Sequence, residues 1–450
     1  MNYQLLQNIE TKLQADFQKI DEIALQNQQK VLQAFIKHKV RQQHFAPSNG
    51  YAYGDIGRET LNQLYATVLG FDNAIVSHAL SCGTHTIFAA LRGLLRPNDH
   101  ILSITGTVYD SVQSTMVGKI GSLAEYGIHF ESIDLLPNGD FDKETLFQKL
   151  QDNLNFINST TQKTDKNTPV AVAKNIDKNA KTQNDTTYKA PPQRSHSQLI
   201  YIQRACGYSS RKALLPNQIE EIATFIKSIH QDIIILVDNC YGEFVCNTEP
   251  QKNIDVLVGS LIKNTGGGIA QCGGYIASKQ KYIDTLNASV TAPGIGGEVG
   301  ANLYGYRDYF LGLYLAPHIV AQAKKSALLF GQGFADLGYT TNVQQGITQA
   351  DIVVSIGLHN EQNVIKFCHA IQSLSPVDSF VTPLPWDMPG YDNPIIMCAG
   401  TFTAGSTIEL SADAPMRPPY NVYLQGALTY EHAKIAFCQT YALFAAQPQN

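Results

Sequence analysis

The stretch IIILVDNCYGEF, residues 233–244, decides the fold of this 450-residue chain. Five consecutive apolar residues are typical of a strand that is buried on both faces, as in the parallel sheet of an α/β protein. The strand ends in a carboxylate, Asp238. Burying an unpaired carboxylate is unfavourable, so Asp238 needs a partner. A protonated ring nitrogen, a metal ion or a backbone cap could each fill that role.

Further short apolar segments flank this strand and alternate with helical patterns. The strand-like segments are residues 74–80, 101–105, 199–203, 254–259 and 274–277, and helical patterns include 84–95 and 216–229. Alternating strands and helices predict an α/β fold with a mostly parallel sheet that is covered by helices on both faces.

Changes in the helix and strand patterns along the sequence predict three parts. Residues 1–70 are a helical segment followed by a loop, 71–315 form a large α/β domain, and 316–450 form a smaller α+β domain at the C-terminal end. Within the large domain, 158–197 are rich in Asn, Thr, Lys and Gln. A segment with so few large apolar residues cannot bury enough surface to order itself, so we expect a flexible insertion.

Composition excludes several classes of protein. Only 16% of the residues are charged and the net charge is −5, which does not favour a nucleic-acid partner. Neither a signal peptide nor an apolar run of membrane-spanning length is apparent, so we expect a cytoplasmic protein without membrane partners. The eight cysteines are scattered and contain no CxxC pair. We therefore expect reduced thiols and no metal site.

A turn between a strand and a helix, Ser81-Cys82-Gly83-Thr84, has the features of an anion site. Gly83 permits a tight turn, and backbone N–H groups at the start of a helix attract negative charge. The alternative is an ordinary helix start with Thr84 as the N-cap.

Lys263 follows the predicted strand 254–259 and precedes a run of three glycines. In this apolar setting we expect desolvation to lower the pKa of the lysine, which suits Schiff-base chemistry. Ser260, three residues earlier, could offer a hydroxyl to a phosphate. The alternative is a surface lysine in a glycine-rich turn.

Each of these features is ambiguous alone, but their order favours one cofactor. Pyridoxal 5'-phosphate (PLP) needs anion donors for its phosphate, a carboxylate for its ring nitrogen and an amine for its aldehyde. Gly83-Thr84, Asp238 and Lys263 supply these groups in turn, and the lysine follows the acid by 25 residues. The sequence therefore predicts a PLP site.

Longer motifs resemble a bacterial family of PLP-dependent enzymes, the aluminium-resistance proteins related to methionine gamma-lyase and cystathionine beta-lyase. The resemblance covers about 51–434 except the insertion. It is carried by SCGTHT (81–86), ITGTVYDS (104–111), VDNCYGEF (237–244), GSLIKNTGGGIA (259–270), PGIGGEVG (293–300), SPVDS (375–379) and GTFTAGSTIELSADAPMRPPY (400–420). It implies the PLP-dependent transferase-like fold, aminotransferase fold type I, and a homodimer or homotetramer.

The resemblance also implies roles for individual residues in the cofactor site. Lys263 would form the Schiff base with PLP, and Asp238 would pair with the ring nitrogen. Gly83, Thr84 and Ser260 would hold the phosphate.

Three further residues match positions that contact the cofactor in this family. Tyr109 would stack on the cofactor ring and assist proton transfer to the leaving group. Tyr53 and Arg58 lie where the family sends residues into the phosphate site of a neighbouring subunit, although an ordinary loop is an equal alternative.

An arginine is expected for the carboxylate of the small amino-acid substrate, because its planar fork binds a carboxylate through two hydrogen bonds. Arg417 is the first choice, and Arg204 and Arg211 are the second. The family pattern leads us to expect Ser-Arg where this chain has Ala205-Cys206. If the missing arginine contacts the substrate in relatives, specificity differs here.

The resemblance implies a PLP-dependent carbon–sulfur lyase that acts on a sulfur-containing amino acid of the cystathionine or methionine type and releases a thiol, a 2-oxo acid and ammonia. Transamination or aldol-type cleavage would use the same lysine. A weakly active PLP-binding protein is a third possibility, since a fold does not guarantee an activity.

Overall fold

The computed structural model describes residues 2–49, 54–164, 197–209, 211–298, 300–388, 391 and 393–446, without the side chains of 156–164. Its helices are α1 Tyr3–Lys37, α2 Ile56–Leu69, α3 Gly83–Leu94, α4 Asp110–Val117, α5 Lys143–Thr164, α6 Pro216–Ile229, α7 Ile283–Asn287, α8 Arg307–Asp336, α9 Glu361–Ser373 and α10 Tyr430–Ala445. Its strands are β1 Asn73–Ser77, β2 His100–Ser103, β3 His129–Ser132, β4 Gln198–Gln203, β5 Ile234–Asp238, β6 Val256–Ser260, β7 Gly274–Ser278, β8 Thr340–Thr341, β9 Val353–Gly357, β10 Ile395–Cys398, β11 Ser411–Pro415 and β12 Asn421–Gln425.

Seven strands form the larger sheet, in the order β1-β7-β6-β5-β4-β2-β3. The five strands from β3 to β6 in this order run parallel, whereas β7 is antiparallel to both β6 and β1. The prediction of a mostly parallel sheet is confirmed. The carboxyl ends of β4, β5 and β6 therefore meet at one edge of the sheet.

The apolar run of β5 packs against helices on both faces of this sheet. Ile235 and Val237 belong to a cluster that contains residues of α2 and α6, whereas Ile234 and Leu236 belong to one that contains residues of α3 and α4. Because successive side chains of a strand point to opposite faces, a strand between two helical layers must be apolar throughout. This arrangement explains why residues 233–237 are all apolar.

A second sheet follows, with the strand order β10-β11-β12-β9-β8 and only antiparallel pairs. Residues of α8, α9 and α10 share a hydrophobic core with its strands. The predicted domain boundary at 316 falls inside α8, which runs unbroken from Arg307 to Asp336.

The first helix is continuous over 35 residues and contributes to both cores. Its N-terminal half buries Leu6, Ile9, Leu13 and Ile20 with the second sheet, and its C-terminal half buries Val31 and Ala34 with the first. The helix ends at Lys37, and a short 3₁₀ turn, Gln42–Phe45, follows before the rest of the predicted segment 1–70.

Two local predictions need correction. Strand β3 was not predicted, because it is a four-residue edge strand whose side chains are exposed or half-buried. Helix α5 extends to Thr164, so residues 158–164 are helical rather than flexible. The remainder of the predicted insertion, 165–196, lies outside the described residues. In the part of the chain that is described, none of the helices is long and apolar enough to cross a bilayer.

Candidate active site

A cavity of about 310 Å³ lies between the carboxyl ends of the parallel strands and one face of the second sheet. Gln203 at the end of β4, Asp238 at the end of β5 and Lys263 beyond β6 line one side, and Asp413 of β11 lines the other. Ligands of open α/β sheets bind beyond the carboxyl ends of the strands, so this cavity is the expected place for a site.

The start of α3 forms part of the cavity wall. The helix begins at Gly83 with Cys82 in the N-cap position and no side-chain cap, so the alternative that Thr84 is the N-cap does not hold. Thr84 Oγ1 instead lies 2.7 Å from Ser111 Oγ. A side chain at position 83 would contact Cys240 Sγ and Ser260 Cβ at 3.3 Å. Glycine therefore allows the start of the helix to approach β6 closely.

Ser260 lies directly behind this helix start, as the last residue of β6. Its hydroxyl is fully buried, and no hydrogen-bond partner for it occurs among the described residues. A buried hydroxyl without a partner is unfavourable unless a ligand or water satisfies it. The N-terminal amides of α3, which no N-cap side chain among the described residues satisfies, and this hydroxyl together form a polar site suited to an anion.

Asp238 is 6% exposed and is held by two donors. The Tyr201 hydroxyl donates to Oδ2 at 3.1 Å, and the Cys240 N–H donates to Oδ1 at 3.1 Å. Burial raises the pKa of Asp238, while the Cys240 N–H and the nearby Lys263 lower it. Across the described ranges, no three His, Cys, Asp or Glu side chains converge as metal ligands would.

Lys263 reaches into the cavity with its Nζ 3.6 Å from the centroid of the Tyr241 ring. The Tyr241 hydroxyl donates to the Ser406 carbonyl at 3.2 Å, which fixes the ring. Burial lowers the pKa of Lys263, but Tyr241, Cys240 and Asp238 raise it, and the net change is upward. The expectation of a lowered pKa is therefore wrong, because desolvation is outweighed by these neighbours.

The residues around this cavity fit PLP. A carboxylate, a buried amine and an anion site surround one space, and Ser260 has an unsatisfied hydroxyl at the anion site. The Asp238 carboxylate matches a ring N–H, the Lys263 amine matches an aldehyde, and the start of α3 with Ser260 matches a phosphate.

Tyr109 is the centre of a hydroxyl cluster at the cavity. Its Oη lies 2.9 Å from both Tyr208 Oη and Tyr391 Oη, and its backbone N–H donates to Gln203 Oε1 at 2.8 Å. Burial is the main reason that the pKa of Tyr109 rises well above its usual value, followed by the charge of Asp413. The phenol therefore keeps its proton at neutral pH.

The second sheet contributes a row of three side chains to the cavity. Met397, Asp413 and Tyr423 are register partners on β10, β11 and β12, and all three line the cavity. Partners directly opposite each other in neighbouring strands project to the same face. Asp413 Oδ2 accepts hydrogen bonds from Ser406 Oγ at 2.7 Å and from Tyr208 Oη at 3.2 Å.

The three arginines proposed for the substrate carboxylate do not line this cavity. Arg204 is completely buried, with Nη1 2.8 Å from Glu249 and 2.7 Å from Asn239. Its proposed contact with substrate does not agree with this placement, because an ion pair in the core occupies the guanidinium. Arg211 donates to backbone carbonyls, including Gln203 O at 2.7 Å. Arg417 is half-buried just beyond β11.

The two residues expected to serve a neighbouring subunit are only partly described. Tyr53 lies outside the described residues. Arg58 is in the first turn of α2, where Nη1 donates to the Gly297 carbonyl at 3.4 Å. Its role toward a partner subunit stays a prediction.

Several cavity residues were not anticipated from the sequence: Gln203, Tyr208, Tyr241, Tyr391, Asp413 and Tyr423. Tyr241 has a φ of +68°, which is unusual for a bulky side chain but becomes visible only in the structure. Asp413 lies in ELSADAP (409–415), a segment that contributed only to the resemblance to the family. An acid between apolar strand residues was the signal that could have identified it.

The chain is similar in sequence to known proteins. The sequence model of the methionine gamma-lyase family matches residues 2–187 and 172–444. "Uncharacterized protein YnbB" from Bacillus subtilis is 40% identical over 445 residues, which span 97% of this chain and 95% of that protein.

Two solved structures are also similar. One from Listeria monocytogenes, described as a candidate cystathionine beta-lyase involved in aluminium resistance, is 39% identical with a TM-score of 0.83 and covers 97% of this chain and 98% of its own. The PLP-dependent protein YhfS from Escherichia coli is 14% identical, with a TM-score of 0.56 over 94% of this chain and 97% of its own, a likeness of fold alone.

Proposed function

The chain belongs to the methionine gamma-lyase family, and from this premise we propose that it eliminates a thiol from a sulfur-containing amino acid of the cystathionine or methionine type. The family match and the Listeria relative support a PLP-dependent carbon–sulfur lyase. The products are the thiol, a 2-oxo acid and ammonia, with one water consumed. The proposed architecture is aminotransferase fold type I.

One observation carries the proposal: Lys263, Asp238 and the start of α3 surround a single cavity, with the unpaired Ser260 hydroxyl behind it. Lys263 would hold PLP through its aldehyde, and Asp238 would hold the ring nitrogen. Gly83 and Thr84, through their backbone N–H groups, and Ser260 would hold the phosphate.

When bound, PLP supplies an electron sink that makes the hydrogen on the substrate Cα acidic. Asp238, fixed by Tyr201 and the Cys240 N–H, keeps the ring nitrogen protonated. Lys263, once the substrate amine has displaced it from the aldehyde, would be the general base that takes the Cα proton. The cavity wall around it includes Ile87, Val353 and Met388, which limit the access of water.

Loss of the thiol requires a proton on the departing sulfur. Tyr109 is the candidate donor, because it lines the cavity and its hydroxyl lies within hydrogen-bond distance of two other hydroxyls. The contacts with Tyr208 and Tyr391 fix the position of the Tyr109 hydroxyl and connect it to further hydroxyls that can return the proton.

The direct test is an assay of the purified enzyme with L-cystathionine, L-methionine and S-alkyl-L-cysteines in the absence of any amino acceptor. We expect a 2-oxo acid, ammonia and a thiol in equal amounts, and the identity of the 2-oxo acid distinguishes β from γ elimination. Lys263→Ala should abolish release, whereas Lys252→Ala, at an exposed lysine, should not. A 2-oxo acid that forms only after an acceptor is added would indicate an aminotransferase instead.

We also propose that the enzyme assembles as a homodimer or homotetramer, with Tyr53 and Arg58 contributing to the phosphate site of a neighbour. The family resemblance supports this arrangement. Light scattering of the holoenzyme tests it, since a monomer with full activity would rule it out.

A further inference from the structure

The charges around the cavity do not balance once the cofactor roles are assigned. Two carboxylates line the cavity, Asp238 and Asp413, and Lys263 is the one basic side chain among the described residues that line it. In the proposed function, Asp238 pairs with the ring nitrogen and Lys263 bonds to the aldehyde. Asp413 then has no basic side chain of the described cavity wall to face.

Asp413 is buried within the second sheet and does not lie at its periphery. It is 2% exposed in the middle of β11, between Met397 and Tyr423 in the strand register. Ser406 and Tyr208 donate to Oδ2 and orient the carboxylate. Burial raises the pKa of Asp413, so its ionised form needs both hydrogen bonds and a nearby cation in such a place.

Aromatic residues neighbour the same carboxylate: the Tyr208 hydroxyl donates to it, and Tyr423 is the register partner of Asp413 on β12. The Tyr208 ring centroid lies 5.2 Å from that of Tyr423 and 6.2 Å from that of Tyr391. Faces of aromatic rings attract ammonium groups, most strongly where water is excluded. The contact between Lys263 Nζ and the Tyr241 ring is an example within this cavity.

We propose that Asp413, with Tyr208 and Tyr423, binds a distal ammonium group of the substrate, so that the preferred substrates are diamino thioethers. This inference rests on the proposed function and specifies its substrate class. An S-aminoalkyl cysteine carries such a group, as does cystathionine, which adds a second carboxylate. Methionine lacks it. Asp413 is thus a specificity-determining residue.

The test compares S-(2-aminoethyl)-L-cysteine with S-propyl-L-cysteine, which has the same chain length and no distal charge. A hydrogen bond to a charged group gives on the order of a tenfold preference or more in kcat/KM for the aminoethyl compound. Asp413→Asn should bring this ratio close to one. Asp387→Asn should leave the ratio unchanged, because Asp387 is exposed and precedes the lining residue Met388.

Several outcomes would overturn the proposal. Equal kcat/KM values for the two compounds in the wild-type enzyme would do so, whether or not the Asn variant folds. A fall in kcat by the same factor for both compounds in Asp413→Asn would make the residue a positioning residue for Tyr208 instead.

The test also separates this proposal from the proposed function. If neither thioether is cleaved, binding to the holoenzyme decides the present inference, and the assay with L-cystathionine and L-methionine decides the lyase assignment. A larger rise in melting temperature with the aminoethyl compound than with the propyl compound, absent in Asp413→Asn, supports the ammonium site. Equal rises with both compounds contradict it.

Discussion

Arg204 holds a charge that the core tolerates only because Glu249 neutralises it. Both side chains are fully buried, and Nη1 lies 2.8 Å from Oε2. Asn239 bonds to both partners, and it immediately follows Asp238 in the chain. The pair therefore supports the strand end that carries the candidate cofactor ligand, without contact with the cavity.

Replacing Arg204 tests this structural role. Arg204→Met leaves Glu249 as a buried charge without its partner, so we expect the free energy of unfolding to fall by about 3–5 kcal/mol. The double variant Arg204→Met/Glu249→Leu should recover part of the loss. Chemical denaturation measures both changes, and Arg92→Met, at an exposed arginine of α3, is the control.

A substrate-binding Arg204 would behave differently. In that case, substitution of Arg204 would raise KM about tenfold or more, because a hydrogen bond to a charged group is lost, and would change stability little. That pattern would contradict the buried ion pair.

At the residue scale, the sequence could identify groups whose roles follow from their local context. Asp238 ends one apolar strand and Lys263 lies three residues beyond the end of another, so their position at the edge of a sheet was predictable. The partner of Arg204 was not, because Glu249 is 45 residues away and no local pattern records the pairing. Asp413 was overlooked for a related reason: it reaches the cavity only through the packing of the second sheet against the first.

Among the elements, β6 and α3 meet at the proposed phosphate site. Gly83 allows the helix start to lie against the strand, and Ser260 ends the strand with an unpaired hydroxyl. The neighbouring strand β7 ends in a comparable residue, Ser278, whose buried hydroxyl also has no partner among the described residues. Ser278 is opposite Val256 in the strand register, at the far end of β6.

This pair of serines gives a matched prediction. Ser260→Ala should leave the stability of the cofactor-free enzyme unchanged or slightly higher, because it removes an unsatisfied polar group. The same change should weaken PLP binding about tenfold or more, through the loss of a hydrogen bond to a charged phosphate. Equilibrium titration of the visible absorption with PLP measures the affinity.

Ser278→Ala is the control for this experiment. It removes an equally buried hydroxyl but should not change PLP affinity. Equal PLP affinities for wild type and Ser260→Ala would show that the hydroxyl does not contact the phosphate.

Six of the seven strands of the larger sheet were predicted from the sequence, with ends shifted by a few residues, whereas β8, β10, β11 and β12 of the second sheet were not. The segment 216–229 was predicted in full, because Pro216 marks the first turn of a regular amphipathic helix. The edge strand β3 was missed, because an exposed strand of four residues has no distinctive apolar pattern. The pairing order of the strands needs long-range contacts that no local segment contains.

Over the whole molecule, buried acids make stability depend on pH. Glu243 is completely buried; Oε1 accepts from the Tyr275 hydroxyl at 2.7 Å, whereas Oε2 has no partner among the described residues. Burial raises the pKa of Glu243 to about 8, despite the Tyr275 hydrogen bond, which lowers it. In the unfolded chain the pKa of a glutamate is about 4.3.

The sign of the effect follows from these two pKa values. Between them the folded state keeps the proton and the unfolded state has lost it, so stability from Glu243 is full below about pH 4.3 and is lost as the pH rises to about 8. Glu243→Gln cannot titrate, so its stability relative to wild type should increase with pH across this range. Urea denaturation of the cofactor-free proteins at several pH values measures it.

Glu22→Gln, at an exposed position of α1, is the control for the replacement of a glutamate by glutamine as such. A pH profile for Glu243→Gln that runs parallel to that of wild type would mean that Glu243 titrates alike in the folded and unfolded states.

The central claim is that Lys263 binds PLP in the cavity between the two sheets. The most direct measurement is reduction of the purified holoenzyme with borohydride, followed by peptide mass spectrometry. We predict a visible absorption band that disappears on reduction, and a peptide that contains Lys263 and carries the mass of the reduced cofactor. A protein without such a band after incubation with PLP, or one modified at another lysine instead, would contradict the account.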